Sequence, residues 1–382
     1  MLPKKLQLKV AERSAINASR KLKNSYNLID FSSNDYLGFS SSSKIFKNTA
    51  QLLKDKKHQI NGATGSRLLS GNYSLYQEAE RKIAEIHKVE SALIFNSGYD
   101  ANIGFFSVIP QRGDFIFYDE SIHASIRDGI SMTNAKSYKF MHNDIQDLKG
   151  IVNRIKNSSP LNKEESVEIY IVTESVFSMD GDSPDLIELS NYCIKIGAHF
   201  IVDEAHALGV FGLGLIQKLS LEDKVFARLV TFGKGLGCHG AAFLVAKDLK
   251  EYLINFARSF IYTTALPPHS VGTIITAYDE LISSKEIKKL QENIQLFKSE
   301  IINKKIEAYF VTSDSAIQSC IVSGNEIVKD ISLKLKEHGF DVKPILSPTV
   351  KLGQERLRFC LHSYNTEKEI LSLVHLLSTL LK

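Results

Sequence analysis

Lys234 stands in the run Leu229-Val230-Thr231-Phe232-Gly233-Lys234-Gly235-Leu236-Gly237, an apolar stretch that ends in a lysine between glycines. No bulky neighbour crowds the amine. An apolar approach disfavours its charged form, and the uncharged amine is what a Schiff-base lysine needs. Alone, a lysine in a glycine-rich turn reads as a solvated loop residue. A second stretch upstream, at a separation of about 30 residues that suits one strand–helix–strand crossover, changes that reading. It is His199-Phe200-Ile201-Val202-Asp203-Glu204-Ala205-His206, an apolar strand that delivers a carboxylate and then an imidazole at its carboxyl end.

Open parallel sheets bind ligands outside the carboxyl ends of their strands, so the residues just after each apolar run are informative. Asn96-Ser97-Gly98-Tyr99 puts a glycine at the start of a helix whose first amides can hold a phosphate. Asp119-Glu120-Ser121-Ile122-His123 supplies another imidazole, and Glu174-Ser175-Val176-Phe177-Ser178-Met179-Asp180-Gly181-Asp182 a polar segment. One sheet edge thus collects a phosphate nest, imidazoles, a carboxylate and a lysine. A lone histidine after a strand or a lone aspartate before a helix would mean little; their joint occurrence carries the argument. Asp203-Glu204-Ala205-His206 also spells a Walker-B box, but no G-x-x-x-x-G-K-[ST] loop accompanies it. Gly235-x-Gly237-x-x-Gly240 matches a dinucleotide fingerprint, yet an apolar run rather than a helix comes after it. No stretch has metal-ligand spacing.

These residues need a frame to hold them. Apolar runs at 92–95, 115–118, 169–173, 200–202, 229–231 and 242–245 read as buried strands, with helical patterns between most of them. Near-continuous apolar strands alternating with helices predict a mostly parallel sheet covered on both faces, an α/β fold. A helical pattern spans 73–88, with Asn72 or Ser74 as its cap. Another spans 186–196, where Gly197 suits the terminating position. The glycine-rich segment 62–71 has too little apolar content for a core element and reads as a cleft lining. Beyond about 267 a long charged helical region (274–298) leads into strands at 308–311 and 317–322, a helix at 326–338, a strand at 356–361 and a helix at 367–381. This describes a smaller α+β domain. The expected division is an N-terminal arm over 1–40, a large domain over 41–270 and a small C-terminal domain over 271–382. Leu6, Val10 and Ile16 give the arm, helical to about residue 24, an apolar stripe that would rest on something.

With 43% hydrophobic and 24% charged residues among 382, the composition excludes wholesale disorder. A net charge of +4 is too mild for a nucleic-acid footprint. Four scattered cysteines fit a reducing compartment, with Cys238 expected as a buried thiol. Without a signal-like or membrane-spanning apolar run, the reading is a soluble cytoplasmic protein with neither nucleic-acid nor membrane partners.

The motifs Asn34-Asp35-Tyr36-Leu37-Gly38, Ser97-Gly98-Tyr99 with Ala101-Asn102, Phe177-Ser178-Met179-Asp180-Gly181-Asp182, Asp203-Glu204-Ala205-His206, Thr231-Phe232-Gly233-Lys234-Gly235, Ile261-Tyr262-Thr263-Thr264-Ala265-Leu266-Pro267-Pro268 and Arg356-Leu357-Arg358 run through nearly the whole chain. Together they resemble the α-oxoamine synthases, pyridoxal 5′-phosphate enzymes of fold type I. The resemblance implies that Lys234 carries the cofactor and moves protons at the substrate Cα. It implies that Asp203 pairs with the pyridine nitrogen, that His123 stacks on the ring, and that His206 and Ser178 bond near the ring hydroxyl. Gly98, Tyr99 and Thr231 would bind the phosphate, with Thr264 reaching in from the second subunit of a homodimer. Arg358, with Asn34 near it, would hold the amino-acid carboxylate. The implied reaction joins a small amino acid to an acyl thioester, on coenzyme A or a carrier protein, with loss of carbon dioxide. Ser347-Pro348-Thr349-Val350 ahead of Gly353 is similar to the branch that uses alanine and a pimeloyl group. Arg20 would there meet the far carboxylate of that chain. The alternatives are glycine with acetyl-CoA, a serine palmitoyltransferase-like activity, and a non-catalytic carrier-binding protein.

Overall fold

The computed structural model describes residues 2–16, 19, 22, 27–158 and 167–382. It divides into two compact units, one of residues 37–178 and 183–287, the other of residues 1–36, 179–182 and 288–382. The larger unit is built on seven strands: β1 (Ser91–Phe95), β2 (Phe115–Asp119), β3 (Lys136–Phe140), β4 (Ile169–Glu174), β5 (His199–Asp203), β6 (Ala227–Thr231) and β7 (Ala241–Val245). Their order across the sheet is β1-β7-β6-β5-β4-β2-β3. All neighbours from β6 to β3 pair in parallel, and β7 runs antiparallel to both β6 and β1.

Alternate residues of these strands feed two cores. Ile116, Tyr170, Val172 and Ile201 pack on one face with Phe105, Ile126 and Leu253. Phe117, Ile171, Phe200 and Val202 pack on the other with Leu148, Val152 and Leu189. Each such side chain taken from water contributes about 1.5–3 kcal/mol. Because both faces are covered, the strands read as unbroken apolar runs. β3 escaped the sequence reading for the opposite reason: it is an edge strand, and Lys136, Ser137 and Lys139 are exposed on it.

Local chemistry accounts for the other departures. Helix Ser74–Ile86 is preceded by Tyr73 without a side-chain cap, because both expected caps are engaged elsewhere. Asn72 Oδ1 accepts from Arg67 Nε and Nη2 at 3.1 and 2.9 Å, and Ser74 Oγ bonds His58 Nε2 at 2.9 Å. Gly197, at φ 67°, does end helix Leu186–Ile196. The charged region 274–298 is two helices, Pro268–Ser283 and Glu286–Asn303, broken where Ser284 turns extended and its Oγ accepts from Glu286 N at 3.1 Å. The first of these belongs to the larger unit, where Thr276 Oγ1 meets Thr49 Oγ1 at 2.8 Å in the buried contact with helix Ser43–Asp55. The boundary therefore falls later than residue 270.

In the smaller unit, strands Lys343–Ile345, Arg356–Cys360 and Ile317–Ile321 form an antiparallel sheet in that order. Residues 308–311, expected as a strand, begin in a 3-10 turn (Glu307–Tyr309) and make one bridge, from Phe310 to Cys320. Ile29–Asp30 pairs in parallel with Phe340–Asp341, a contact between chain ends that no local pattern announces. The first helix, Lys4–Ala15, buries none of its residues, so Leu6 and Val10 rest on nothing among the described residues. Arg20 lies outside the described residues. Cys193, Cys320 and Cys360 are buried free thiols, while Cys238 is only partly covered. Among the described residues no helix is long and apolar enough to cross a membrane.

Candidate active site

The carboxyl ends of β2, β4, β5 and β6 carry the chemistry. Asp203 ends β5 and is buried. Its Oδ1 accepts from Ala205 N at 2.9 Å and its Oδ2 from Asn102 Nδ2 at 3.1 Å, so each carboxylate oxygen meets a donor. Asn102 lies on helix Gly98–Phe106, which places it behind the acid. The same Asn102 Nδ2 donates to Ser125 Oγ at 3.0 Å, and Ser125 Oγ lies 2.8 Å from His123 Nδ1. His123 caps helix Ala124–Ser131, its Nδ1 accepting from Ser125 N at 3.2 Å. In the neutral ring the proton therefore resides on Nε2.

Burial pushes the His123 imidazole below its ordinary value of 6.5, with the Asp203 carboxylate opposing and the Lys234 and Arg127 cations adding to the shift. As pH falls, the unfolded chain binds this proton before the folded one does. This group alone therefore weakens the fold progressively as pH falls through about 6.5, where unfolded histidine is half protonated. In a histidine NMR titration, His123 is expected to protonate below the ordinary value of 6.5 as acid is added. Titration at or above the ordinary value would contradict the buried placement.

Lys234 sits in the loop between β6 and β7. Gly237 N–H donates to Lys234 O at 2.8 Å and Cys238 N–H to Phe232 O at 2.7 Å, closing the turn. A Cβ at Gly235 would lie 2.4 Å from Leu208 O, so only glycine lets this loop pack on the segment after Asp203. That approach brings Lys234 Nζ to 2.7 Å from His206 Nε2. The amine and imidazole are thus partners, at the strand edge that also presents Asp203.

At the third corner, Ser97 caps helix Gly98–Phe106 by accepting from Asp100 N at 3.0 Å, and Ala101 N–H reaches Ser97 O. The Gly98 and Tyr99 amides remain without an intrahelical acceptor, as first-turn amides must. A Cβ at Gly98 would come 2.7 Å from Thr231 Cγ2; its absence lets the helix start lie directly on the end of β6. Thr231 and Gly98 are therefore neighbours, and an anion at this helix start would meet both. An amine, a carboxylate and an anion nest on one edge fit the aldehyde, the pyridine nitrogen and the phosphate of pyridoxal phosphate.

Ser178, also expected at the site, lies in the polar segment after β4 and is half-buried. Thr264 is exposed, its carbonyl accepting from Asn96 Nδ2 at 2.7 Å. In the smaller unit Arg358 is buried and donates from Nη2 to Asn34 Oδ1 at 3.1 Å, an oxygen that also accepts from Tyr36 OH at 3.2 Å. A main-chain bond ties the two segments together, Cys360 N–H donating to Phe31 O at 2.8 Å. Sequence reasoning assigned no role to Asn102, Ser125 or Glu174. The available signal was an acid closing an otherwise apolar strand, Glu174, at the register position opposite Asp203.

A family model described as aminotransferase class I and II matches residues 26–377. An 8-amino-7-oxononanoate synthase of Emericella nidulans is 39% identical over 369 residues, 93% of this chain and 89% of that one. Among solved structures, the 8-amino-7-oxononanoate synthase of Francisella tularensis aligns with a TM-score of 0.75 and 29% identity, covering 93% of this chain and 98% of that one. A serine palmitoyltransferase from S. paucimobilis, with PLP and myriocin bound, aligns with a TM-score of 0.87 over 99% and 96% of the two chains. At 23% identity that likeness speaks for the fold alone.

Proposed function

Because the chain belongs to the class I and II aminotransferase family, in its α-oxoamine synthase branch, we propose that it condenses alanine with a pimeloyl thioester. The products are 8-amino-7-oxononanoate, carbon dioxide and the free thiol of the carrier, which places the enzyme in biotin synthesis. Pyridoxal phosphate is its cofactor. The observation that carries the reading is the Lys234 amine 2.7 Å from His206, on the edge that presents Asp203 and the Gly98 nest.

Bound there, the cofactor supplies an electron sink for the pair released at the substrate Cα. The chain's own groups do the rest. Asp203 holds a proton at the ring nitrogen through a carboxylate kept in place by Asn102 and Ala205. Lys234 takes the proton from the substrate Cα and returns it to the product. His123, neutral at pH 7, covers one ring face without adding a charge that would compete with Asp203. Gly98, Tyr99 and Thr231 bind the phosphate. His206 and Ser178 orient the ring hydroxyl. Arg358 with Asn34 is assigned to the substrate carboxylate, where a fork-shaped cation matches a planar anion. Arg20 is assigned to the distal carboxylate of the pimeloyl chain, which would otherwise be buried without a counter-charge. The reading includes a cytoplasmic homodimer in which Thr264 serves the neighbour's phosphate.

The test is a matrix of acyl donors (acetyl-, pimeloyl- and palmitoyl-CoA, and a pimeloyl carrier protein) against glycine, alanine and serine, scored by thiol release. Alanine with a pimeloyl donor is expected to exceed every other pairing by about tenfold or more in kcat/KM, equivalent to at least ~1.4 kcal/mol of transition-state preference. Faster turnover of glycine with acetyl-CoA, or of serine with palmitoyl-CoA, would reassign the substrate.

A further inference from the structure

Glu174 closes β4 and is 3% exposed. Its Oε1 accepts from the main-chain N–H of His123 at 2.6 Å. Its Cα pairs in register with that of Asp203 on β5, and Ser175 N–H donates to Asp203 O at 2.9 Å, so the two acids close neighbouring strands side by side. These contacts form a circuit, from Glu174 to His123, on through Ser125 and Asn102 to Asp203, and back across the strand pairing to Glu174. Every link but the strand pairing is a hydrogen bond between residues of different elements or at a helix cap. Nothing in the proposed reaction uses the Glu174 carboxyl directly.

We propose that Glu174 is a positioning residue: by accepting the His123 main-chain N–H from the end of the strand beside Asp203, it sets the imidazole and the Asp203 carboxylate in a defined relation to one another. The inference rests on the reading of His123 and Asp203 as the two groups that face the cofactor ring. The surroundings of this carboxyl favour its uncharged form. Burial raises its proton affinity well above the ordinary carboxylate value, and the neighbouring Asp203 and Asp119 carboxylates add to this, while Lys234 and the His123 N–H oppose it. A neutral acid can accept an N–H bond beside Asp203 without setting a second negative charge against it.

Three variants separate the position of the acceptor from its mere presence in the core. Glu174→Gln keeps the length and an uncharged carbonyl acceptor. Glu174→Asp keeps the acid but withdraws it by one methylene from His123 N. Glu174→Ala removes the acceptor. Each is measured as purified holoenzyme for kcat, KM, pyridoxal-phosphate affinity, melting temperature and the circular dichroism induced in the cofactor's visible band, which reports how asymmetrically the ring is held. Misplacement of about an ångström costs on the order of a hundredfold in rate. Glu174→Asp and Glu174→Ala are accordingly expected to lose about ten- to a hundredfold in kcat and to alter the induced band. Glu174→Gln is expected to stay within about threefold, well under 1 kcal/mol of transition-state energy.

If Glu174→Asp retains wild-type kcat and an unchanged induced band, whatever its melting temperature, the inference is overturned and the residue is only a core filler. Equal losses in Glu174→Gln and Glu174→Asp would also overturn it, by showing that the carboxyl proton matters rather than the acceptor. Should Glu174→Ala fail to fold, the Gln and Asp variants decide the matter alone. The control is the unmodified enzyme: if it neither binds pyridoxal phosphate nor turns over, the proposed function fails, independently of Glu174.

Discussion

Lys234→Ala is expected to abolish turnover while leaving a folded protein. Lys234 is half-buried at a loop tip, and its loop is closed by main-chain bonds that do not involve the side chain. Removing the amine deletes the group assigned both to hold the cofactor and to move the substrate proton. General acid–base catalysis by one positioned group contributes about 10²–10⁴-fold, so a loss of more than about a thousandfold is expected. Thiol release under saturating alanine and pimeloyl donor measures it. Cofactor bound by the variant should no longer become covalently fixed on borohydride treatment, because no amine remains to be trapped. The melting temperature should move little. Turnover within tenfold of the unmodified enzyme would remove Lys234 from the site, whatever the family relationship.

The second large effect is expected in stability, at Arg228. This residue of β6 is 1% exposed and bonds Glu204 Oε2 through Nε at 2.9 Å and Nη2 at 2.7 Å. Glu204 itself is fully buried, stands immediately after Asp203, and also accepts from Ile216 N at 2.9 Å. On its other side Arg228 lies against His87, whose imidazole burial and the guanidinium together hold well below its ordinary value, leaving it neutral and bonded to Tyr278 OH at 2.9 Å. Arg228→Met leaves the Glu204 charge buried without its partner, a loss that costs about 3–5 kcal/mol. Chemical denaturation followed by far-ultraviolet circular dichroism measures it, which suits a chain with no tryptophan. Adding Glu204→Gln in the same chain removes the stranded charge and keeps an acceptor for Ile216, so the double variant should regain much of the loss. A single variant within 1 kcal/mol of the unmodified protein, or a double variant worse than the single one, would show that the pair contributes little.

What the sequence determined by itself was whatever depends on neighbours along the chain. The central strands were legible because burial on both faces demands unbroken apolar runs, and Gly197 marked a helix end because glycine readily adopts the left-handed turn found there. That the candidate site residues would gather at one edge was legible for a related reason: parallel strands deliver their loops to the same edge, so chain order maps onto place. Lys136–Phe140 was missed because an edge strand needs no such apolar run. What the sequence could not disclose was which residues hold the site residues still. Asn102 and Asp203 are 101 positions apart, His123 and Glu174 are 51 apart, and Arg228 and Glu204 are 24 apart. Asparagine, glutamate and arginine have no one-dimensional signature as partners, since a hydrogen bond depends on separation in space and on what burial does to the unpaired group. Only the tertiary structure, by crossing helix Gly98–Phe106 over the sheet and closing β4 and β5 side by side, turned those residues from ordinary polar positions into the support of the site.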